Sequence, residues 1–85
     1  MKYLYFSAPW CGPCKMFGPV MERVGTKVNV QKINIDENQD LAMQYSVRSI
    51  PTVILVDDSG KEYARQVGMQ QEQMLLEQYN NFTNG

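Results

Sequence analysis

The sequence predicts an α/β fold, a four-stranded mixed sheet with helices on both faces, in the order βαβαββα. Three observations carry this. Short apolar runs rich in aromatic and β-branched residues alternate with stretches of helical apolar spacing. The first three elements alternate strand, helix, strand, which makes a right-handed crossover between parallel strands. A turn, Asp57–Gly60, then separates two runs close enough to pair as an antiparallel hairpin.

Each element follows from its residues. Tyr3–Phe6 is apolar on both faces and bounded by Ser7 and Pro9, the pattern of a short strand buried on both sides. From Cys11 the spacing turns helical, with Phe17, Val20, Met21 and Val24 forming one stripe. Gly25 is the expected C-terminal cap, and Pro19 is expected to kink the helix near Lys15. Lys27–Ile35 reads as the second strand, Val28, Val30 and Lys32 on one face and Ile33 and Ile35 on the other. A short helix follows over Gln39–Tyr45, with Asp36 and Asn38 as candidate caps. Thr52–Val56 is a central strand, and Glu62–Val67 pairs back onto it until Gly68 breaks it. Met74, Leu75 and Tyr79 mark the last helix, and the tail from Asn80 is expected to fray.

Bulk properties narrow the function. The 85 residues make one domain, 1–85, whose thin core hides only about two-thirds of the unfolded surface. The net charge is −1 and the eight basic residues are scattered, so no basic stripe points to nucleic acid. No apolar run approaches the roughly 20 residues that span a bilayer. The opening MKYLYFSAPW has a lysine followed by apolar residues, but Ser7 and Pro9 interrupt it before a signal-peptide centre forms. A cytoplasmic protein with an intact N-terminus is expected, in which the sequon at Asn81–Thr83 has no role.

Both cysteines lie in SAPWCGPCK, two residues apart. As a structural staple, so small a ring contributes only about 2 kcal/mol, against nearly 5 for a loop of about a hundred residues. As a zinc site it lacks ligands, because the chain has no histidine and no third cysteine. A reactive pair remains. Cys11 begins a helix, where unpaired N–H groups and the dipole favour a thiolate. Pro13 suits the first turn because its missing donor is not needed there. Cys14 lies one turn further in, so Cys11 is expected to be the more exposed, and the nucleophile. Cys14 is then the resolving thiol, the two forming a redox-active Cys11–Cys14 disulfide with no bound cofactor.

The stretch WCGPCK, Trp10 to Lys15, is similar to the active site of the thioredoxin family. The similarity continues through KINIDEN (Lys32–Asn38), SVRSIPTVIL (Ser46–Leu55) and Val67-Gly68. It implies a thioredoxin-like fold and a protein-disulfide reductase that carries electrons to client proteins. It implies recharging by an NADPH-dependent flavin reductase, and clients such as ribonucleotide reductase. It also implies that Trp10 shields the site, with Gly12 and Pro13 between the thiols. Pro51 is then cis and faces the cysteines. Ile50 offers its backbone to an extended substrate, and Gly68 lets that substrate approach. Lys15 is a candidate electrostatic support for the thiolate. A glutathione-linked glutaredoxin is the alternative within redox chemistry, although CGPC and the stretch from Val67 lack that family's pattern. A non-catalytic binding subunit on the same fold is the alternative from another class.

Three departures from the family pattern carry expectations. The chain lacks the extra strand and helix with which thioredoxins usually start. One sheet face is then covered mainly by the short helix Gln39–Tyr45, predicting exposed apolar surface, lower stability, and a monomer or weak dimer. Tyr5 stands where the family has a buried aspartate, and a phenol, with a reference pKa of about 10, is a poor base. Tyr5 and Lys32 are expected to form a polar contact while water carries the proton from Cys14. Ser7 and Pro9 replace residues before the tryptophan, which alters the rim around Cys11.

Overall fold

The computed structural model describes residues 1–84. Seven elements follow in order: β1 (Lys2–Ser7), α1 (Gly12–Gly25), β2 (Val30–Asn34), α2 (Gln39–Gln44), β3 (Thr52–Val56), β4 (Glu62–Val67) and α3 (Glu72–Asn84). The strands form one sheet in the order β2-β1-β3-β4. β1 and β2 are parallel, with Tyr5 opposite Lys32, and the other two pairings are antiparallel. This is the expected mixed topology, and β3 and β4 have the expected bounds.

Alternation divides the side chains between two layers. Tyr3, Tyr5, Val53 and Leu55 bury one face of the sheet against Phe17, Met21 and Val24 of α1 and Leu75 of α3. Leu4, Phe6, Ile33, Ile54 and Val56 bury the other, where Leu41, Ala42 and Tyr45 pack from α2 and its end. The faces are held differently. α1 contributes three fully buried apolar side chains to its face, Phe17, Met21 and Val24, each stabilising by about 1.5–3 kcal/mol, whereas α2 contributes none that is fully buried. Even so, the sheet on the α2 side is not bare, because all five of its core side chains are buried. The apolar exposure expected there is confined to side chains such as Met43 of α2, which is 77% exposed.

Several boundaries differ from expectation for local reasons. β2 begins at Val30 because Lys27 and Val28 spend their N–H groups on the carbonyl of Val24 at the end of α1. Gly25 is the last helical residue rather than the cap. Thr26 caps instead in an ordinary right-handed conformation, its hydroxyl donating to the Arg23 carbonyl at 2.6 Å. α1 runs unbroken through Pro19. Asn38 holds the N-cap position of α2, but its side chain donates to the Asn34 carbonyl and caps nothing. α3 does not fray at Asn80. It continues to Asn84 because Tyr79 donates to the Met1 carbonyl, Thr83 donates to the Tyr79 carbonyl, and Phe82 meets the Tyr63 ring. Gly85 lies outside the described residues.

Candidate active site

Cys11 occupies the N-cap of α1 with extended backbone angles. Its sulfur accepts the backbone N–H of Cys14 at 3.2 Å, and its carbonyl accepts the N–H of Lys15 at 3.2 Å. Gly12 and Pro13 complete the first turn, where helix N–H groups lack carbonyl partners, so the proline's missing donor costs nothing. That leaves the Cys14 amide free for sulfur. The cysteines are joined as a disulfide with Cα atoms 5.2 Å apart.

The disulfide sits in a small apolar cluster with Ala8, against which Ile35 and Ile50 pack. Cys11 and Cys14 are each 5% exposed. The expectation that Cys11 would be the more open is therefore not met in the disulfide form. What distinguishes the sulfurs is the Cys14 N–H directed at Cys11.

The segment before β3 faces this pair. The Ile50–Pro51 bond is cis, and the Ile50 carbonyl oxygen lies 3.8 Å from the Cys11 sulfur. In the disulfide that sulfur has no proton to donate, so the approach becomes a hydrogen bond only when Cys11 is a thiol. Gly68 donates its N–H to the Pro51 carbonyl at 2.8 Å from a φ of +90°, a conformation that favours glycine. Its bare Cα side is open space. Trp10 is 65% exposed and donates from Nε1 to Asp36 at 3.0 Å, so its ring is tethered beside the site. Asp36, expected only as a helix cap, is that tether. Ser7 is buried at the end of β1 and does not reach the rim, which leaves Pro9 as the altered rim residue.

Behind Cys14 a cleft of about 370 Å³ opens between α1 and the sheet, lined in part by Tyr5, Ser7, Lys15 and Lys32. Tyr5 and Lys32 are neighbours across the strands but make no polar contact. The Tyr5 hydroxyl instead donates to the Cys14 carbonyl at 3.3 Å, and Lys32 is exposed. Burial raises the pKa of the Tyr5 phenol above its ordinary value, so it stays neutral near neutrality. Lys15 is exposed on α1. Among the described residues, no group of three or more Cys, Asp or Glu could hold a metal ion. No helix among them is long and apolar enough to cross a membrane.

A disulfide at the N-cap of a helix, with the Ile50 carbonyl beside its first sulfur and a mixed sheet behind it, defines a protein of dithiol–disulfide exchange. Comparison with known proteins agrees. The Thioredoxin family model matches residues 2–81. The chain is 44% identical to Bacillus subtilis thioredoxin over 79 residues, covering 88% of this chain and 75% of that one. It is 48% identical to Chlamydia pneumoniae thioredoxin over 73 residues, covering 82% and 71%. Among solved structures, a mutant thioredoxin from Halobacterium salinarum superposes with a TM-score of 0.87 at 40% identity, covering 96% of this chain and 74% of that one. Fasciola hepatica thioredoxin gives 0.82 at 34% identity, covering 94% and 78%.

The chain belongs to the thioredoxin family. It is a thiol–disulfide oxidoreductase with protein-disulfide reductase activity, working through its Cys11–Cys14 pair. Membership implies reductase-type electron donors and disulfide-containing client proteins in general.

Proposed function

We propose that Cys11 is the attacking thiol and Cys14 the resolving one. The observation that carries the assignment is the Cys14 N–H donated to the Cys11 sulfur at the head of α1. A hydrogen bond to sulfur at a helix N-terminus favours the thiolate, the form that attacks disulfides. The Cys11 thiolate displaces one sulfur of a client disulfide, forming a mixed disulfide, and the departing client thiolate takes up a proton. Cys14 then loses its proton and attacks the Cys11 sulfur. This closes the Cys11–Cys14 disulfide and releases the second client thiol. The client gains two electrons and two protons: both electrons come from this chain, one proton from Cys14, and the other from solvent, which took it up when Cys11 ionised.

In the same proposal the client lies extended along Ile50 and Pro51, reading the Ile50 backbone, while open space at Gly68 admits its chain. Trp10 covers one side of the mixed disulfide. Lys15 adds positive charge near the first turn, and Tyr5 and Lys32 border the water-accessible cleft behind Cys14. The electrons are carried on sulfur alone, with no bound cofactor. They come from an NADPH-dependent flavin reductase and go to clients such as ribonucleotide reductase. The chain works as one domain, 1–85, in the cytoplasm.

The test is insulin disulfide reduction by dithiothreitol, with and without the protein, beside the Cys11→Ser variant. Acceleration that the variant abolishes supports the proposal. An unaccelerated reaction, or a variant as active as the parent, sinks it.

A further inference from the structure

We propose that Arg65 is a positioning residue for the client-docking segment Ser46–Pro51, acting through the end of α2. This rests on the reading that clients dock along Ile50 and Pro51.

α2 is lightly held. The helix has six residues and none is fully buried, so apolar packing alone fixes it weakly. Polar bonds converge on its C-terminal end instead. Arg65 of β4 faces the α2 layer, and its Nη2 donates to the Tyr45 carbonyl, with Nη1 3.5 Å from the Ser46 carbonyl. These are end-of-helix carbonyls to which no helical N–H donates. The Tyr45 hydroxyl in turn donates to the Gly60 carbonyl at 2.7 Å, so the β3–β4 hairpin grips the helix end twice. Glu62 holds the guanidinium from below, accepting from Nε at 2.9 Å and from Nη2 at 2.8 Å. Bonds from an ionised donor are stronger than neutral ones, so Arg65 is the principal tie.

The docking segment begins directly after this tie. Ser46 turns the chain with a φ of +53°, unusual for a non-glycine residue. The chain then runs to Ile50, beside the Cys11 sulfur. The far end is fixed independently: the Thr52 hydroxyl donates to the Ser49 carbonyl at 2.7 Å, and Gly68 bonds Pro51. The near end has Arg65. Ser46 and Val47 are bonded to α2 itself, through their N–H groups to the Met43 and Ala42 carbonyls at 3.0 and 2.8 Å. Releasing Arg65 therefore lets the end of α2 and the start of the docking segment shift together against the sheet while leaving α1 and both cysteines in place. Client binding should suffer and sulfur reactivity should not.

The test uses Arg65→Met and Arg65→Lys in the full chain, with Tyr45→Phe as a second way to loosen the same end. The expected result in insulin reduction is a KM raised about fivefold in Arg65→Met and less in the other two, with kcat unchanged. The alkylation rate of reduced Cys11 should also be unchanged. Should Arg65→Met fail to fold, the other two variants decide alone. A lower melting temperature with KM unchanged would show a merely structural role and overturn the inference. An equal fall in alkylation rate and turnover would overturn it too. The docking reading is checked separately by hydrogen exchange at the Ile50 amide, in a mixed disulfide between the Cys14→Ser variant and a client peptide. If that amide is not slowed, the docking reading fails and this inference with it. If it is slowed while KM stays unchanged in the Arg65 variants, only this inference falls.

Discussion

The backbone N–H of Cys14 points at the sulfur of Cys11 from 3.2 Å, and Cys11 is itself the N-cap of the helix that carries both. Most N-caps use oxygen to accept such a bond. Here sulfur takes that place, so the geometry that starts the helix also stabilises negative charge on Cys11. After reduction, Cys11 in the Cys14→Ser variant should react with iodoacetamide about fivefold faster than free cysteine near neutrality. Cys14 in the Cys11→Ser variant should react more slowly than free cysteine. Alkylation followed by mass spectrometry measures both, and equal rates at the two positions would remove the distinction between them.

Tyr5 bonds the peptide oxygen of Cys14 and not its sulfur. Its burial keeps the phenol neutral. The phenol therefore keeps its proton near neutrality and tethers the Cys14 peptide. Tyr5→Phe should lower the unfolding free energy by about 1 kcal/mol, the net worth of one neutral hydrogen bond. The pH profile of turnover should keep its shape. Urea unfolding and turnover measured across neutral to alkaline pH test this together. A moved profile would restore a role for the phenol in proton transfer.

Much of this architecture is legible in the chain, and the residues show why. Thr52–Val56 is an unbroken apolar run between turn signals, so its bounds follow from local pattern. The reactive pair stands out because only two cysteines exist and they share a helix start. Contacts between distant residues have no such local signal. Arg65 meets Tyr45 from 20 residues away, and Trp10 meets Asp36 from 26. Strand pairing makes Tyr5 and Lys32 neighbours, which suggests a polar contact between them. The lysine, however, gains more from water than from a neutral phenol, and the phenol finds its acceptor in the Cys14 carbonyl. The end of α3 reads as frayed in the sequence because Tyr79, Phe82 and Thr83 find their partners only after the chain has folded back.

Two glycines at positive φ separate backbone strain from steric contact. Gly60 has a φ of +87°, and a Cβ there would lie 3.1 Å from the Tyr45 hydroxyl. Gly68 has a φ of +90° and would meet nothing within 4 Å. Alanine at either position incurs the left-handed backbone cost of about 1–3 kcal/mol. Only at Gly60 must it also displace the tyrosine that anchors α2. Gly60→Ala should therefore be the more destabilising of the two, as compared by urea midpoints at one pH. Equal losses would mean that Tyr45 moves aside at no cost.

Asp57 organises the β3–β4 turn, and its carboxylate makes the fold sensitive to acid. One oxygen accepts from the Ser59 hydroxyl and from the N–H groups of Ser59 and Lys61, and the other accepts from the Tyr63 hydroxyl. The Ser59 hydroxyl bond foremost, then the Lys61 N–H, lower its pKa from 3.8 to about 2. A carboxyl whose folded pKa lies below its unfolded value stabilises the fold wherever it is ionised in both states. That contribution is complete above about pH 4 and is lost as pH falls through about 2. Asp57→Asn keeps an acceptor for the turn but has no charge to titrate. The parent should be the more stable near neutrality, and its advantage over Asp57→Asn should shrink as the medium is acidified across that window. Urea midpoints for both proteins at neutral pH and at the acid end measure the gap. A gap that stays constant would mean that the charge on Asp57 contributes nothing and that only the shape of the turn matters.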